Sequence, residues 1–271
     1  MTGPVVLITN DDGIDAPGLR QLAAAATRAG CRVTVAAPLH EASGMSAAMT
    51  AVTEHAKVIV EPRALAGLDT VPAYGVSASP SYIVVLATLG AFGPAPEMVL
   101  SGINRGANAG HAVIHSGTVG AALTAAGQGL RSMAFSLDVL SPVATGASGG
   151  ATAIAALDDT DDEIRNWSTA AGLLTRLLPP LRRAPSATVF NVNVPDVPTD
   201  RLRGLRRAKL ARFGQVQMAI AESGQGYLRT AVEETGARLT PGTDLAYLAD
   251  GFATVTPLRS VDEAPDVTID H

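Results

Sequence analysis

Two neighbouring carboxylates, Asp11 and Asp12, stand directly after the apolar run Val5-Val6-Leu7-Ile8-Thr9 and directly before Gly13. Adjacent acids repel each other and lose solvation when a fold draws them out of water, a penalty that a bound cation offsets. Carboxylates and neutral oxygens, with no Cys or His pair at hand, suit a hard divalent ion, Mg²⁺ or Mn²⁺, better than zinc or copper. Further oxygens come from Ser43 beside Gly44, and from Asn104 and Asn108 in Ser101-Gly102-Ile103-Asn104-Arg105-Gly106-Ala107-Asn108. A fourth stretch, Ser116-Gly117-Thr118, opens an Ala-rich segment. A small-residue turn at a helix start presents N–H groups and a positive dipole end to an anion. A divalent ion beside an anion cradle is equipment for phosphoryl chemistry. Each piece has a plainer reading: the acidic pair as a solvated helix-capping turn, the Gly/Ser turns as packing.

The elements that must position these residues follow from periodicity. Val5 to Ile8 is apolar without interruption and mostly β-branched, the pattern of a strand covered on both faces in a parallel sheet. Asp15 as cap, Pro17 in a first turn and a stripe at Leu19, Leu22 and Ala23 predict a helix after it. Arg32 to Pro38 is expected as a second strand, Val58 to Val60 and Val71 to Val76 as further ones. Ser79 with Pro80 opens a helix running to about Leu89. Glu97 to Leu100 and Ser132 to Leu137 read as strands on either side of a helix from Ser116 to about Gly129. Alternating strands and helices predict an α/β fold, a doubly wound, Rossmann-like and mostly parallel sheet, with the polar loops at the carboxyl ends of its strands, where such sheets bind ligands.

Ser141 to Glu163 breaks the rhythm and reads as a surface loop. It ends in the acids Asp158 to Glu163, a solvated cluster ahead of a helix from Ile164 to Leu178. From Ser186 onward the residues alternate, as in Thr188 to Pro195, and Gly251 to Leu258 also looks like strand. We therefore expect a catalytic core over residues 1–185 and an antiparallel C-terminal β extension over 186–271, used for oligomer contacts, within one continuous domain. Arg201, Arg203, Arg206, Arg207, Lys209 and Arg212 read as a solvated or inter-subunit face.

The chain has 271 residues and a net charge of −5, which does not favour binding to a nucleic-acid polymer. Its single cysteine, Cys31, precludes an internal disulfide and suits the cytoplasm. The N-terminus does not read as a signal peptide, and no stretch of about 20 apolar residues suggests a membrane span. A nicotinamide-dependent dehydrogenase would need Gly-x-Gly-x-x-Gly after the first strand, where the acids stand. A receiver domain would need a late lysine that neither Lys57 nor Lys209 supplies. A haloacid-dehalogenase-type phosphatase would need its two aspartates one residue apart.

Thr9-Asn10-Asp11-Asp12-Gly13, Ala37-Pro38 followed by Ser43-Gly44, the Ser101 to Asn108 stretch and Ser116-Gly117-Thr118-Val119-Gly120-Ala121-Ala122 together resemble the survival-protein SurE family of metal-dependent phosphatases. Asn191-Val192-Asn193-Val194-Pro195, Gly242-Thr243-Asp244 and Val255-Thr256-Pro257-Leu258 resemble its later signatures. The resemblance implies a metal held by Asp11, Asp12, Ser43 and Asn104, and a phosphate loop at Ser116-Gly117-Thr118. It implies hydrolysis of phosphate monoesters, mainly nucleoside monophosphates, and a homodimer or homotetramer. Around the phosphate we further expect Asn10, Arg105 and Asn108, with Asp11 or Asp12 as base for the attacking water and His115 as acid for the leaving group.

The chain departs from the family pattern at Tyr82, His111, Ala112, His115 and Thr124-Ala125, near the substrate rather than at the metal ligands. These changes imply retained phosphatase chemistry on a shifted phosphorylated small molecule. The competing expectation is a non-catalytic nucleotide- or metabolite-binding protein that kept the metal site, with Tyr82 stacked on a base.

Overall fold

The computed structural model describes residues 3–42, 44–54, 57–140, 162–212, 216–224, 227–234, 239–261 and 263. Its centre is strand β1 (Val5–Thr9), buried along its whole length and flanked in parallel by β2 (Arg32–Pro38) and β7 (Met98–Arg105). Val6 and Ile8 face one apolar cluster and Leu7 the other, the period-2 arrangement of a strand covered on both sides. Beyond β2 lie β6 (Ala73–Val76), parallel to it, and then β5 (Val60–Arg63), an antiparallel edge. On the other side β7 is followed by β8 (Arg131–Asp138) and β9 (Thr188–Pro195), both parallel. The sheet is completed by β13 (Ala253–Arg259), antiparallel to β9, and β10 (Leu205–Arg207), parallel to β13. The nine-stranded order is β10-β13-β9-β8-β7-β1-β2-β6-β5, the α/β architecture the alternation predicts. Two short hairpins stand outside it: β3 (Thr53–Glu54) with β4 (Lys57–Val58), and β11 (Val216–Gly224) with β12 (Tyr227–Glu234).

Helices α1 (Pro17–Arg28), α4 (Trp167–Gly172) and α5 (Leu174–Arg183) cover one face, and α2 (Pro80–Thr88) and α3 (Gly117–Gly127) the other. A last short helix, α6 (Asp244–Ala249), packs on β13 and β9. Helix α5 keeps Pro179 and Pro180 inside it. Proline removes a helical hydrogen bond, and the stripe Leu174, Leu177, Leu178 and Leu181, buried against the sheet, outweighs that loss. Among the described residues no helix is long and apolar enough to cross a membrane.

Two expectations need correction. The single helix expected over Ile164 to Leu178 is a 3₁₀ turn, Asp162–Ile164, followed by α4 and α5. Of the acids before it, Glu163 is exposed and pairs with Arg20 at 2.8 Å and Asp162 pairs with Arg165 at 2.7 Å, while residues 141–161 lie outside the described part. Thr188–Pro195 does not begin an antiparallel extension, because it continues the parallel sheet and antiparallel pairing enters only with β13. Its alternating Asn191 and Asn193 are fully buried, for a reason that lies at the functional site.

One packing contact sets where α1 lies. Gly18 sits so close to β7 that a Cβ there would come 2.1 Å from the Ile103 carbonyl oxygen and 3.0 Å from the Trp167 ring. Gly18→Ala is therefore expected to destabilise the fold by about 2 kcal/mol, since the overpacking penalty exceeds the gain in helix propensity. A lowered urea midpoint at unchanged slope is the measurement that checks it.

Candidate active site

The turn after β1 is built before it can bind anything. Asn10 is fully buried and spends both ends of its amide on Gly13: its Nδ2 donates to the Gly13 carbonyl at 2.9 Å, and its Oδ1 accepts from the Gly13 N–H at 3.2 Å. Gly13 has a φ of +102°, a conformation that favours glycine. The Asn10 side chain thus shapes the loop that aims the next two residues.

Asp11 is 4% exposed, and its carboxylate abuts the start of α3. The Thr118 hydroxyl and the Thr118 N–H both donate to it, and a Cβ on Gly117 would lie 2.7 Å from its Oδ2. Ser116 caps the same helix, its Oγ accepting from Val119 N at 3.0 Å. The positive helix end therefore acts first on Asp11. Burial raises the pKa of Asp11 above the ordinary carboxylate value, while those donors pull against the rise. The Thr118 and Ser116 side chains, expected at the phosphate, are engaged here in placing Asp11 and capping α3.

Asp12 is in a harsher setting. Its carboxyl is pushed up to about 8 by burial and by Asp11 next to it, opposed by the Arg105 N–H, and its Oδ2 is buried without a hydrogen-bond partner. Neighbouring buried acids with an unsatisfied oxygen are a place where negative charge lacks compensation. That donor set, oxygen throughout, fits a hard divalent cation.

Asn104 reaches the same level of the sheet. Thr9 and Ser101 are paired across β1 and β7, so Asp12 and Asn104 both lie three residues beyond that pair. The pairing of β7 with β8 slips between Ser101 and Asn104, an irregularity of the kind that re-aims a side chain at a sheet's rim. The Asn104 Nδ2 donates to the Gly106 carbonyl at 2.8 Å, which leaves its Oδ1 as the oxygen directed elsewhere. Arg105 borders a cleft shared with Asp12, Glu41 and Trp167, and lies 3.8 Å from Asp162. Ser43 is outside the described residues, although the Ala42 N–H beside it donates to the Asp11 carbonyl at 2.7 Å.

Asn108 is held from several directions by groups that sequence reasoning did not identify. Its N–H donates to Asn193 Oδ1 at 2.8 Å, its carbonyl accepts from Asn191 Nδ2 at 2.7 Å and Asn193 Nδ2 at 3.0 Å, and its own Nδ2 donates to Ser136 Oγ at 2.9 Å. Two residues on, the Gly110 N–H donates to Asp244 Oδ2 at 2.8 Å. The buried asparagines of β9 thus exist to hold this loop, and asparagines inside an otherwise apolar strand were the signal that could have revealed them. Asn193→Ala removes two of these bonds and strands buried groups of Asn108, so a loss of about 2 kcal/mol in stability is expected, read by urea denaturation.

The remaining expectations are placed as follows. His115 is exposed and ends the 3₁₀ segment Gly110–His115, one residue before the cap of α3. Tyr82 is half-buried, packed against the cluster containing Leu7, Val76 and Ile83. The Thr124 hydroxyl bonds the Gly120 carbonyl of its own helix at 2.8 Å. Glu41, not anticipated from sequence, raises the pKa values of both Asp11 and Asp12 and lines the Asp12 cleft. Its position just past the end of β2, at the same edge as the other polar loops, was the available clue.

Comparison with known proteins gives a consistent result. The family model described as survival protein SurE matches residues 6–218. The 5'-nucleotidase SurE of Methylococcus capsulatus is 33% identical over 259 residues, covering 94% of this chain and 90% of that protein. The 5'/3'-nucleotidase SurE of Edwardsiella ictaluri is 34% identical over 259 residues, covering 94% and 89%. The crystal structure of the SurE protein from Aquifex aeolicus superposes with a TM-score of 0.70 at 27% identity, covering 97% of this chain and 96% of that one.

Proposed function

This chain belongs to the survival protein SurE family and is a phosphoric monoester hydrolase, and from that premise we propose that it works with a divalent cation, Mg²⁺ or Mn²⁺, held by Asp11, Asp12, Asn104 and Ser43. The observation that carries this reading is the buried, unpartnered Oδ2 of Asp12 beside the buried Asp11. When bound, the ion supplies a Lewis acid for the phosphoryl oxygens and lowers the pKa of water.

The chain's own residues do the rest. Thr118 and the start of α3 hold Asp11 in place and, with it, the negative face of the site. Since the two aspartates already offset a dication, the charge of an incoming phosphate needs another positive partner, which Arg105 and the helix end provide. Asn108, fixed by Asn191 and Asn193, keeps the loop between Arg105 and α3 from shifting under the substrate. One aspartate accepts the proton of the attacking water, and His115, exposed beside the cap of α3, delivers a proton to the departing oxygen. The substrate is a phosphorylated small molecule, a nucleoside monophosphate or a specialised metabolite, met in the cytoplasm.

Assembly as a homodimer or homotetramer through the C-terminal segments is part of the same reading. The β11–β12 hairpin forms a two-stranded sheet of its own, and such hairpins gain stability by packing on something else.

Release of phosphate from p-nitrophenyl phosphate tests the reading. Turnover with Mg²⁺ or Mn²⁺ that EDTA abolishes and added metal restores is the expected result. Turnover indifferent to chelation would overturn the metal assignment, and nucleotide binding without turnover would overturn the hydrolytic one.

A further inference from the structure

A second cleft, about 560 Å³ in volume, opens beside the Asp11–Asp12 site and plays no part in the chemistry described above. We infer that it receives the alcohol portion of the phosphate ester, and that this portion is predominantly apolar and carries no further negative charge. The inference rests on the phosphatase reading and deepens it by naming the substrate class.

Continuity between cleft and site comes from the strap of chain after β2. Glu41 lines both this cleft and the one at Asp12, and the next residue, Ala42, donates to the Asp11 carbonyl at 2.7 Å. Farther along, the Ser46 hydroxyl donates to the Ile114 carbonyl, and Gly120 of α3 packs so tightly on Ser46 that a Cβ would fall 2.4 Å from its carbonyl oxygen. The strap then crosses to β6, where Val52 N donates to the Ser77 carbonyl at 2.8 Å and Ser79 N to the Thr50 carbonyl at 2.8 Å. One continuous segment therefore touches the aspartate loop, the first turns of α3 and the wall of the cleft. The cleft thus adjoins the one at Asp12 through their shared wall residue, Glu41.

The lining sets the chemistry of the occupant. Leu39, Ala42, Met45, Val52, Ile59 and Val76 make its surface mainly apolar. Its two serines are already committed to the backbone: Ser77 Oγ donates to the Val52 carbonyl and accepts from Ile59 N, and Ser79 Oγ donates to the Ala48 carbonyl and accepts from Thr50 N. Among the described residues no Phe, Tyr or Trp ring lines the cleft, and beside the two glutamates and two serines its polar side chains are only His40 and Thr50, so a nucleobase would meet few groups to stack on it or read its edge. Glu41 and Glu61 place negative charge on the walls, at Glu61 partly offset by Arg63 at 3.5 Å, which disfavours a second anionic group. An uncharged, apolar alcohol satisfies all of these conditions.

The test is a series of straight-chain alkyl phosphates from ethyl to octyl, run beside adenosine monophosphate on the full-length enzyme with Mg²⁺ or Mn²⁺. Affinities of the matching alkylphosphonates, which cannot be hydrolysed, are measured by calorimetry. We expect kcat/KM and phosphonate affinity to rise about threefold to fourfold per added methylene, with hexyl phosphate overtaking the nucleotide. Val52→Glu, at a surface position of the lining, is expected to flatten both series, lowering the octyl values far more than the ethyl ones. Values independent of chain length, or a Val52→Glu effect equal for ethyl and octyl esters, would overturn the inference. Absence of phosphate release from every ester would instead overturn the phosphatase reading, and the phosphonate affinities would still decide what the cleft holds.

Discussion

Asp11→Asn is expected to lower kcat by about 10³-fold, the scale on which removal of one preorganised charge at a phosphoryl site is felt. Asparagine keeps the shape and still accepts from the Thr118 hydroxyl, so the fold survives and the loss is read as chemistry. What disappears is the charge for which the start of α3 is arranged, and with it half of the negative pair that would grip a dication. A second readout separates this from a general defect. Wild-type protein should melt at higher temperature when Mn²⁺ is added, because a ligand that binds only the folded state stabilises it. The variant should gain far less, while its metal-free form melts above metal-free wild type, since a buried like-charge repulsion has been relieved. Unchanged turnover with unchanged metal response would remove the basis of the proposed mechanism.

Gly117→Ala is expected to cost about 10²-fold in kcat, although it adds one methyl group and alanine is the better helix former. The new Cβ would stand 2.7 Å from Asp11 Oδ2 and about as close to the rest of that side chain, at 3.0 Å from its Cβ and 3.1 Å from its Cγ. Asp11 is too closely packed to yield freely, being 4% exposed and bonded to Thr118, so either the carboxylate or the first turn of α3 must shift. Displacement of a reacting group by a fraction of an ångström to an ångström is enough for a loss of that size. Steady-state kinetics at saturating metal, with circular dichroism to confirm helix content, decide it. A variant with normal kcat would mean that Asp11 need not sit where the structure puts it.

The reading of Thr118 shows where local pattern stops. A Ser-Gly-Thr turn before an Ala-rich run correctly marks a helix start, because capping and propensity are properties of neighbouring residues. It says nothing about which anion that helix end faces. In the fold the nearest one is the protein's own Asp11, 107 residues away in the chain. Asn191 and Asn193 make the same point in reverse. Alternation suggested an antiparallel strand, whereas the strand pairs in parallel with β8 and its asparagines bond the backbone of Asn108. Glu41 and the apolar cleft behind it left no mark in composition or spacing, since a cleft is a relation among segments.

By itself the sequence determined the alternation of strands and helices, the placing of Asp11, Asp12, Asn104 and Asn108 at strand ends, and the cap at Ser79, whereas the cap expected at Asp15 is not formed. The features it determined follow from the period of side-chain direction along one element and from the chemistry of its ends. Only the tertiary structure decided that α3 points at Asp11, that β9 reaches across to brace the loop at Asn108, and that the chain after β2 joins the acidic pair to an apolar cleft. Those relations depend on which surfaces bury one another once the sheet has closed its order. Such packing energies are summed over many distant contacts and are not written in any single stretch of residues.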